Sequence, residues 1–151
     1  MIATNEAALT DLLRDAIVAI VPRLTTKQAQ RWKPYERAVS GSSTTRRFRL
    51  IWTAGMAGLQ PGGAMAGDIF EHFGELRVRT DYAGVHQTQT ELIIDDFHQI
   101  GDALTKTKGT TTGVVLVIRV RTEYADDSAE DDDTVLVDHI YTVRYMRRLH
   151  L

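Results

Sequence analysis

Apolar side chains recur along this chain in two periods. Leu9, Leu12, Leu13, Ala16, Ile17 and Ile20 return every three to four residues, which makes one stripe of a helix. Thr4 or Asn5 stands where a capping side chain belongs, Glu6 suits the positive end of the helix dipole, and Pro22 closes the run. A second stripe, Ile93, Phe97, Ile100 and Leu104, predicts a helix over about 87–106. Gly101 interrupts that stripe, as close packing on a sheet would require.

Elsewhere the period is two. In 46–54, Phe48, Leu50 and Trp52 alternate with Arg47, Arg49 and Ile51, a strand pattern. In about 70–82, Leu76, Val78, Thr80 and Tyr82 share one side, while Glu75, Arg77, Arg79 and Asp81 share the other. "VVLVIRVRTEYA" (114–125) and "TVLVDHIYTVRYMRRL" (134–149) read as a third and fourth strand. The segment "TTKQAQRW" (25–32) predicts a short helical piece bounded by Pro34. "SGSSTT" (40–45), "GMAGLQPGGAMAG" (55–67) and the acidic "DDSAEDDD" (126–133) read as flexible loops, the last an exposed hairpin tip. The order helix, strand, strand, helix, strand, strand predicts an α+β fold. It is a single domain, 1–151: a two-layer sandwich with an about four-stranded, mainly antiparallel sheet and two main helices on one face.

The heptad "RVRTDYA" (77–83) returns as "RVRTEYA" (119–125). One copy precedes a helix and the other follows it, and their flanks do not align, so domain duplication is not the explanation. A shared strand constraint is. Val78 and Val120 are expected in the core, with Arg77, Arg79, Arg119 and Arg121 on the opposite side. Tyr82 and Tyr124 are expected at a sheet end with wet hydroxyls. Arg47, Arg49 and Arg144 extend the same polar face, which would hold many guanidinium groups and few carboxylates.

Three readings of that face stand side by side. Arginine stems can cover apolar surface while their heads stay hydrated. Alternatively, the arginines meet carboxylates of a partner, with Asp131, Asp132 and Asp133 of a neighbouring copy as the obvious counterpart. The third reading is contact with DNA phosphates; the net charge of −2 does not favour it.

Composition adds little more. The 151 residues are 43% apolar and 25% charged, as in ordinary globular protein. There is no cysteine, which excludes disulfides, thiolate nucleophiles and Cys-type zinc sites. The early Glu6, Arg14 and Asp15 argue against a signal peptide, and no apolar run approaches the ~18 residues of a membrane span; a cytosolic setting is the simplest reading. Asp95, His98 and Asp102 stand at helical spacing and could pair around a metal, but a solvated helical face explains them better. His139 reads as a satisfied, partly buried imidazole. The glycine-rich stretch lacks phosphate-loop spacing, there is no nucleophile elbow and no His-Glu-x-x-His, and the aspartate run lacks the ligand alternation of a calcium loop. No catalytic residue, metal site or cofactor is expected.

The N-terminal helix, the strand pair with its long loop, "LRVRTDYAG" leading into "TELIIDDFHQIGDAL", and the last strand with Val137, His139, Tyr141, Val143 and Tyr145 before a basic end resemble tail terminator proteins of long-tailed bacteriophages. The likeness spans about residues 5–149. It implies a structural virion protein at the head-proximal end of the tail, assembled in the host cytoplasm. Several copies, commonly six, would form a ring that stops polymerisation of the tail tube protein and meets the head–tail connector protein. Passing contact with DNA in the ring lumen is implied, and no catalysis, cofactor or membrane. Another neck adaptor or connector ring has the same needs. The candidate interface residues are Arg47, Arg49, Arg77, Arg79, Arg119, Arg121, Arg144, Asp131, Asp132 and Asp133.

Overall fold

The computed structural model describes residues 4–21, 32–34, 46–53, 58–59, 69–83, 87–125 and 134–148. Helix α1 spans Glu6–Val18. Its cap is Asn5, in extended backbone, whose Oδ1 accepts the Ala8 N–H at 2.8 Å. Leu9, Leu13 and Ile17 carry the buried stripe, each worth about 1.5–3 kcal/mol of transfer from water. Helix α2 spans Gln87–Thr105 and buries Ile93, Ile100, Ala103 and Leu104, with Phe97 stacked on Tyr141.

The strands are β1 (Trp32–Pro34), β2 (Arg46–Trp52), β3 (Gly58–Leu59), β4 (Ile69–Ala83), β5 (Val114–Tyr124) and β6 (Thr134–Arg148). The sheet order is β1-β2-β4-β6-β5, with β3 paired to β4. The four long strands are antiparallel throughout, while β1 lies parallel to the first residues of β2. The fold is therefore the α+β arrangement read from the sequence, in the order α-β-β-α-β-β, with two short strands added. Trp32 belongs to β1, edge-on to Phe48, rather than to a helix. The rest of 25–31 lies outside the described residues. Within 55–67, Gly58 and Leu59 pair with Phe73 and His72, so that stretch is not loop throughout.

Period-two alternation assigns β4 and β6 to two faces. Leu76, Val78, Thr80, Tyr82, Tyr141, Val143 and Tyr145 face the helices and are buried. Gly74 lies on that face because the Trp52 ring occupies the space a side chain would take: a Cβ there would stand 3.0 Å from Trp52 Cζ3. Trp52 in turn donates Nε1–H to Thr10 Oγ1 at 2.8 Å, tying β2 to α1.

Strand β5 breaks the alternation. The register passes from Val114↔Tyr145 to Leu116↔Arg144, and from Arg119↔Tyr141 to Arg121↔Ile140. Each step is a bulge, one extra residue that turns the following side chains over. The second bulge falls inside the repeated heptad and makes its copies inequivalent. Val78 is buried, whereas Val120 is 43% exposed. Arg79 lies on the face away from the helices; Arg119 lies under α2.

Candidate interaction face

The face away from the helices holds six of the arginines singled out by the sequence: Arg47, Arg49, Arg77, Arg79, Arg121 and Arg144. The same alternation brings five carboxylates onto it, Glu71, Glu75 and Asp81 from β4, Glu123 from β5 and Asp138 from β6. The expectation of few carboxylates is thus corrected. The sequence reading placed only Glu75 and Asp81 here and passed over Glu71, Glu123 and Asp138, although Asp138 beside the inward His139 falls on this side by parity alone.

These charges are bonded to one another. Asp138 is 1% exposed and accepts two bonds from Arg79, Nε at 2.8 Å and Nη2 at 3.1 Å, with Arg77 Nη1 at 3.3 Å. Such forked geometry is the strongest arrangement a guanidinium and a carboxylate adopt. Arg77 also binds Glu123 and approaches Glu75 at 3.5 Å. Arg121 reaches Glu123 at 3.1 Å and Glu75 at 3.9 Å, Arg47 reaches Asp81 at 2.9 Å, and Arg144 pairs with Glu71. The electrostatic consequence is consistent. Bonds from Arg77 and then Arg121 hold the Glu123 carboxyl below its usual range. Burial alone would lower the Arg77 value, but the bonds to Glu123 and Asp138 outweigh it and raise it.

Ile140 lies on this face too, yet it is fully buried. Its ladder neighbours are Arg77 on one side and Arg121 on the other. The stems of these arginines have an apolar floor to cover while their heads bind carboxylates. The hydrated-arginine reading therefore comes nearest to what is observed, with carboxylates in place of much of the water.

Arg119 is not part of this network. Opposite the inward Tyr141 it lies on the helix side, where Nη2 donates to the His98 carbonyl oxygen at 3.1 Å and pairs with Asp102. Gly101 makes room for it, since a Cβ there would stand 2.6 Å from Arg119 Nε. The close approach expected at Gly101 is thus to a side chain of the sheet. Asp102 is engaged by this arginine and His98 is exposed, so Asp95, His98 and Asp102 do not converge on a metal. Among the described residues no group of three His, Asp or Glu side chains is placed to hold one. Asp131, Asp132 and Asp133 lie outside the described residues.

Polar side chains are buried at two places on the helix side. Tyr82, expected to keep a wet hydroxyl, is buried against Ile93 and Leu92 of α2. Its OH donates to Asp96 Oδ2 at 2.7 Å and lies 2.9 Å from His139 Nε2. The single phenolic proton goes to the carboxylate, so the imidazole Nε2–H is the donor to Tyr82. Tyr124, by contrast, is 66% exposed. At the other end of the sheet, His72 is 1% exposed beside the Tyr145 ring, and neither ring nitrogen has a hydrogen-bond partner among the described residues. Burial first, then the Arg147 charge, lower its pKa against a smaller opposing effect of Glu6. Glu6 binds Tyr145 OH at 3.1 Å and pairs with Arg147 at 3.3 Å, which fastens the start of α1 to the end of β6. No described helix is long and apolar enough to cross a membrane. No protein-family model matches the chain, and no curated protein sequence does either.

Proposed function

We propose that the chain is a structural virion protein, a tail terminator. Copies of it form a ring at the end of a phage tail tube, stop tube polymerisation and join the tail to the head connector. The observation that carries this reading is the element order, two helices over one face of a four-stranded antiparallel sheet in the order α-β-β-α-β-β, on which the likeness to those proteins rests. The charged face adds support of a physical kind. Its six arginines stand against five carboxylates within one subunit, which suits a wall that can pass DNA without gripping its phosphates. A nucleic-acid grip would leave guanidinium groups for phosphate, and Arg77, Arg79, Arg121 and Arg144 are instead bound to carboxylates.

Electron microscopy of the purified protein, alone and with tail tube protein, tests the reading. The expected outcome is closed rings of one subunit number and tubes that cease to elongate when the protein is added. A monomer that leaves tube growth unchanged would refute it. Deletion of the gene separates a terminator from a neck adaptor: loss of a terminator gives tails of abnormal length or tails unable to join, whereas loss of an adaptor leaves finished free tails.

A further inference from the structure

We propose that the join between the start of α1 and the end of β6 is an acid-opened clasp whose trigger is His72. The device belongs to the single subunit and does not depend on the ring reading.

The clasp is small. Thr4 N–H donates to the Met146 carbonyl oxygen at 2.8 Å, and Thr4 forms a parallel bridge with Arg147. Glu6, the first residue of α1, accepts from Tyr145 OH at 3.1 Å and pairs with Arg147 at 3.3 Å. Among the described residues that carboxylate is the one acid bound to either side chain.

His72 stands directly across the ladder from Tyr145, with ring centroids 5.9 Å apart. Strand parity brings Arg147, two residues further along β6, to the same side. The imidazole is 1% exposed, and neither nitrogen has a hydrogen-bond partner among the described residues. A neutral ring leaves an N–H and a lone pair unused there, a cost that a phenyl ring would not carry. What the imidazole adds is a proton site within reach of ordinary pH.

The surrounding charges decide what that proton does. Helix α1 presents Glu6. Strand β6 presents Arg147 and the Tyr145 hydroxyl, which burial, and then Glu6, keep protonated. Strand β3 pairs with His72 through Leu59, and β5 meets Tyr145 through Val114; neither residue titrates. Glu71, next to His72 along β4, lies on the other face and pairs with Arg144. An imidazolium would thus face one cation and one carboxylate, and Arg147 and Tyr145 already share the carboxylate. A buried charge without a partner is far more costly than an exposed one. The protonated ring is accommodated by taking Glu6 from Arg147 or by reaching water, and either parts α1 from β6. Burial and the Arg147 charge outweigh Glu6 and keep the proton off the closed form. The open form takes it up near the ordinary value. The open fraction is therefore constant above about pH 6.5 and rises by up to about tenfold per pH unit below it, until the folded pKa is passed.

Amide hydrogen exchange of the intact chain tests this, followed by NMR between about pH 5 and 7.5 and corrected for the intrinsic rate. Exchange at Thr4, Ala8 and Leu9, whose amides bond within the clasp and the first turn of α1, is expected to rise by up to about tenfold per pH unit below about 6.5. Ala125, bonded to Leu136 at the far end of the sheet, should stay constant. In His72→Phe the rise should vanish from those three amides. A rise shared equally by Ala125 would mean that the proton acts on global unfolding alone and would overturn the proposal. So would exchange independent of pH, or a rise that persists in His72→Phe. A second arm needs no variant: NMR titration of His72 in the parent should give a value below the ordinary one, and a folded pKa at or above about 6.5 would overturn the proposal.

Discussion

Asp138→Asn removes one charge from the middle of the outer face and keeps the shape of the side chain. Two regimes give different outcomes. An exposed ion pair is worth about 0–1 kcal/mol, whereas breaking a buried one costs about 3–5 kcal/mol because the surviving charge stays desolvated. Asp138 is 1% exposed, but the arginine side chains bound to it are 24% exposed. Arg77 also keeps Glu75 and Glu123. Part of the penalty is thus recovered by water and by the remaining acids, and a loss of about 2–3 kcal/mol is expected. That is a large share of the ~5–15 kcal/mol by which a domain is stable. Urea unfolding followed by circular dichroism, at one protein concentration, should show a lower midpoint with an unchanged slope. A cycle with Arg79→Met isolates the pair: the double variant should be more stable than the sum of the single losses by about 1 kcal/mol or more. A loss under about 0.5 kcal/mol, or losses that add within about 0.5 kcal/mol, would refute the claim that this face is held by its own buried charges.

The two packed glycines should respond differently to alanine. Gly74→Ala meets the rigid, hydrogen-bonded Trp52 ring and should cost about 1–3 kcal/mol in urea unfolding, whereas Gly101→Ala meets the movable Arg119 head and gains helix propensity, so it should stay within about 1 kcal/mol of the parent. Tyr82→Phe leaves the buried Asp96 and His139 without the hydroxyl between them and should cost about 1–3 kcal/mol by the same assay; a neutral result would mean the contact is incidental. His72 should make stability depend on pH. Unfolded, it titrates near 6.5; folded, its pKa is lower, so in between the unfolded chain binds the extra proton. Stability is then full above about 6.5 and falls as pH drops through that window. Urea midpoints at several pH values for the parent and His72→Phe check this, and an equal slope in both would refute it. Glu123 adds the opposite case of a depressed carboxylate, whose stabilisation is lost only at lower pH, as the folded value is passed.

The parts of the fold legible in the sequence are those where local pattern and burial agree. Leu9, Leu13 and Ile17 in α1, and Leu76, Val78, Thr80 and Tyr82 in β4, are apolar or small at a fixed period and buried at that period. Strand β5 defeats the method because Val114 to Ile118 are all apolar, so no polar side marks which way each points. The bulge at Val120 then sets Arg119 and Arg121 on opposite sides without any local sign, since nothing in "VVLVIRVRTEY" demands it. The charge balance of the outer face was available from parity, as Asp138 beside His139 illustrates. What parity withholds is strand order. The bonds from Arg77 to Glu123 and Arg79 to Asp138 exist because β6 and β5 follow β4 across the sheet, a tertiary fact with no trace in either segment.

That near-balance changes where the free energy of the proposed ring contact can originate. An arginine already forked onto a buried carboxylate gains little by exchanging it for an acid on a neighbour, since one desolvated pair replaces another. The acidic run 126–133 is then a weak counterpart for this face, and such a contact must draw on apolar burial instead, as the exposed Ile118 and Val120 would supply. The two sources differ in salt. Screening shortens to about 10 Å at 0.1 M and about 3 Å at 1 M, which weakens exposed acid–arginine contacts but not apolar burial. Self-association should therefore persist between 0.1 and 1 M sodium chloride and fail with Ile118→Lys and Val120→Lys. Rings that dissolve at 1 M salt, and that also dissolve on charge reversal of Asp131, Asp132 and Asp133, would mean that the arginine face meets the acidic run after all.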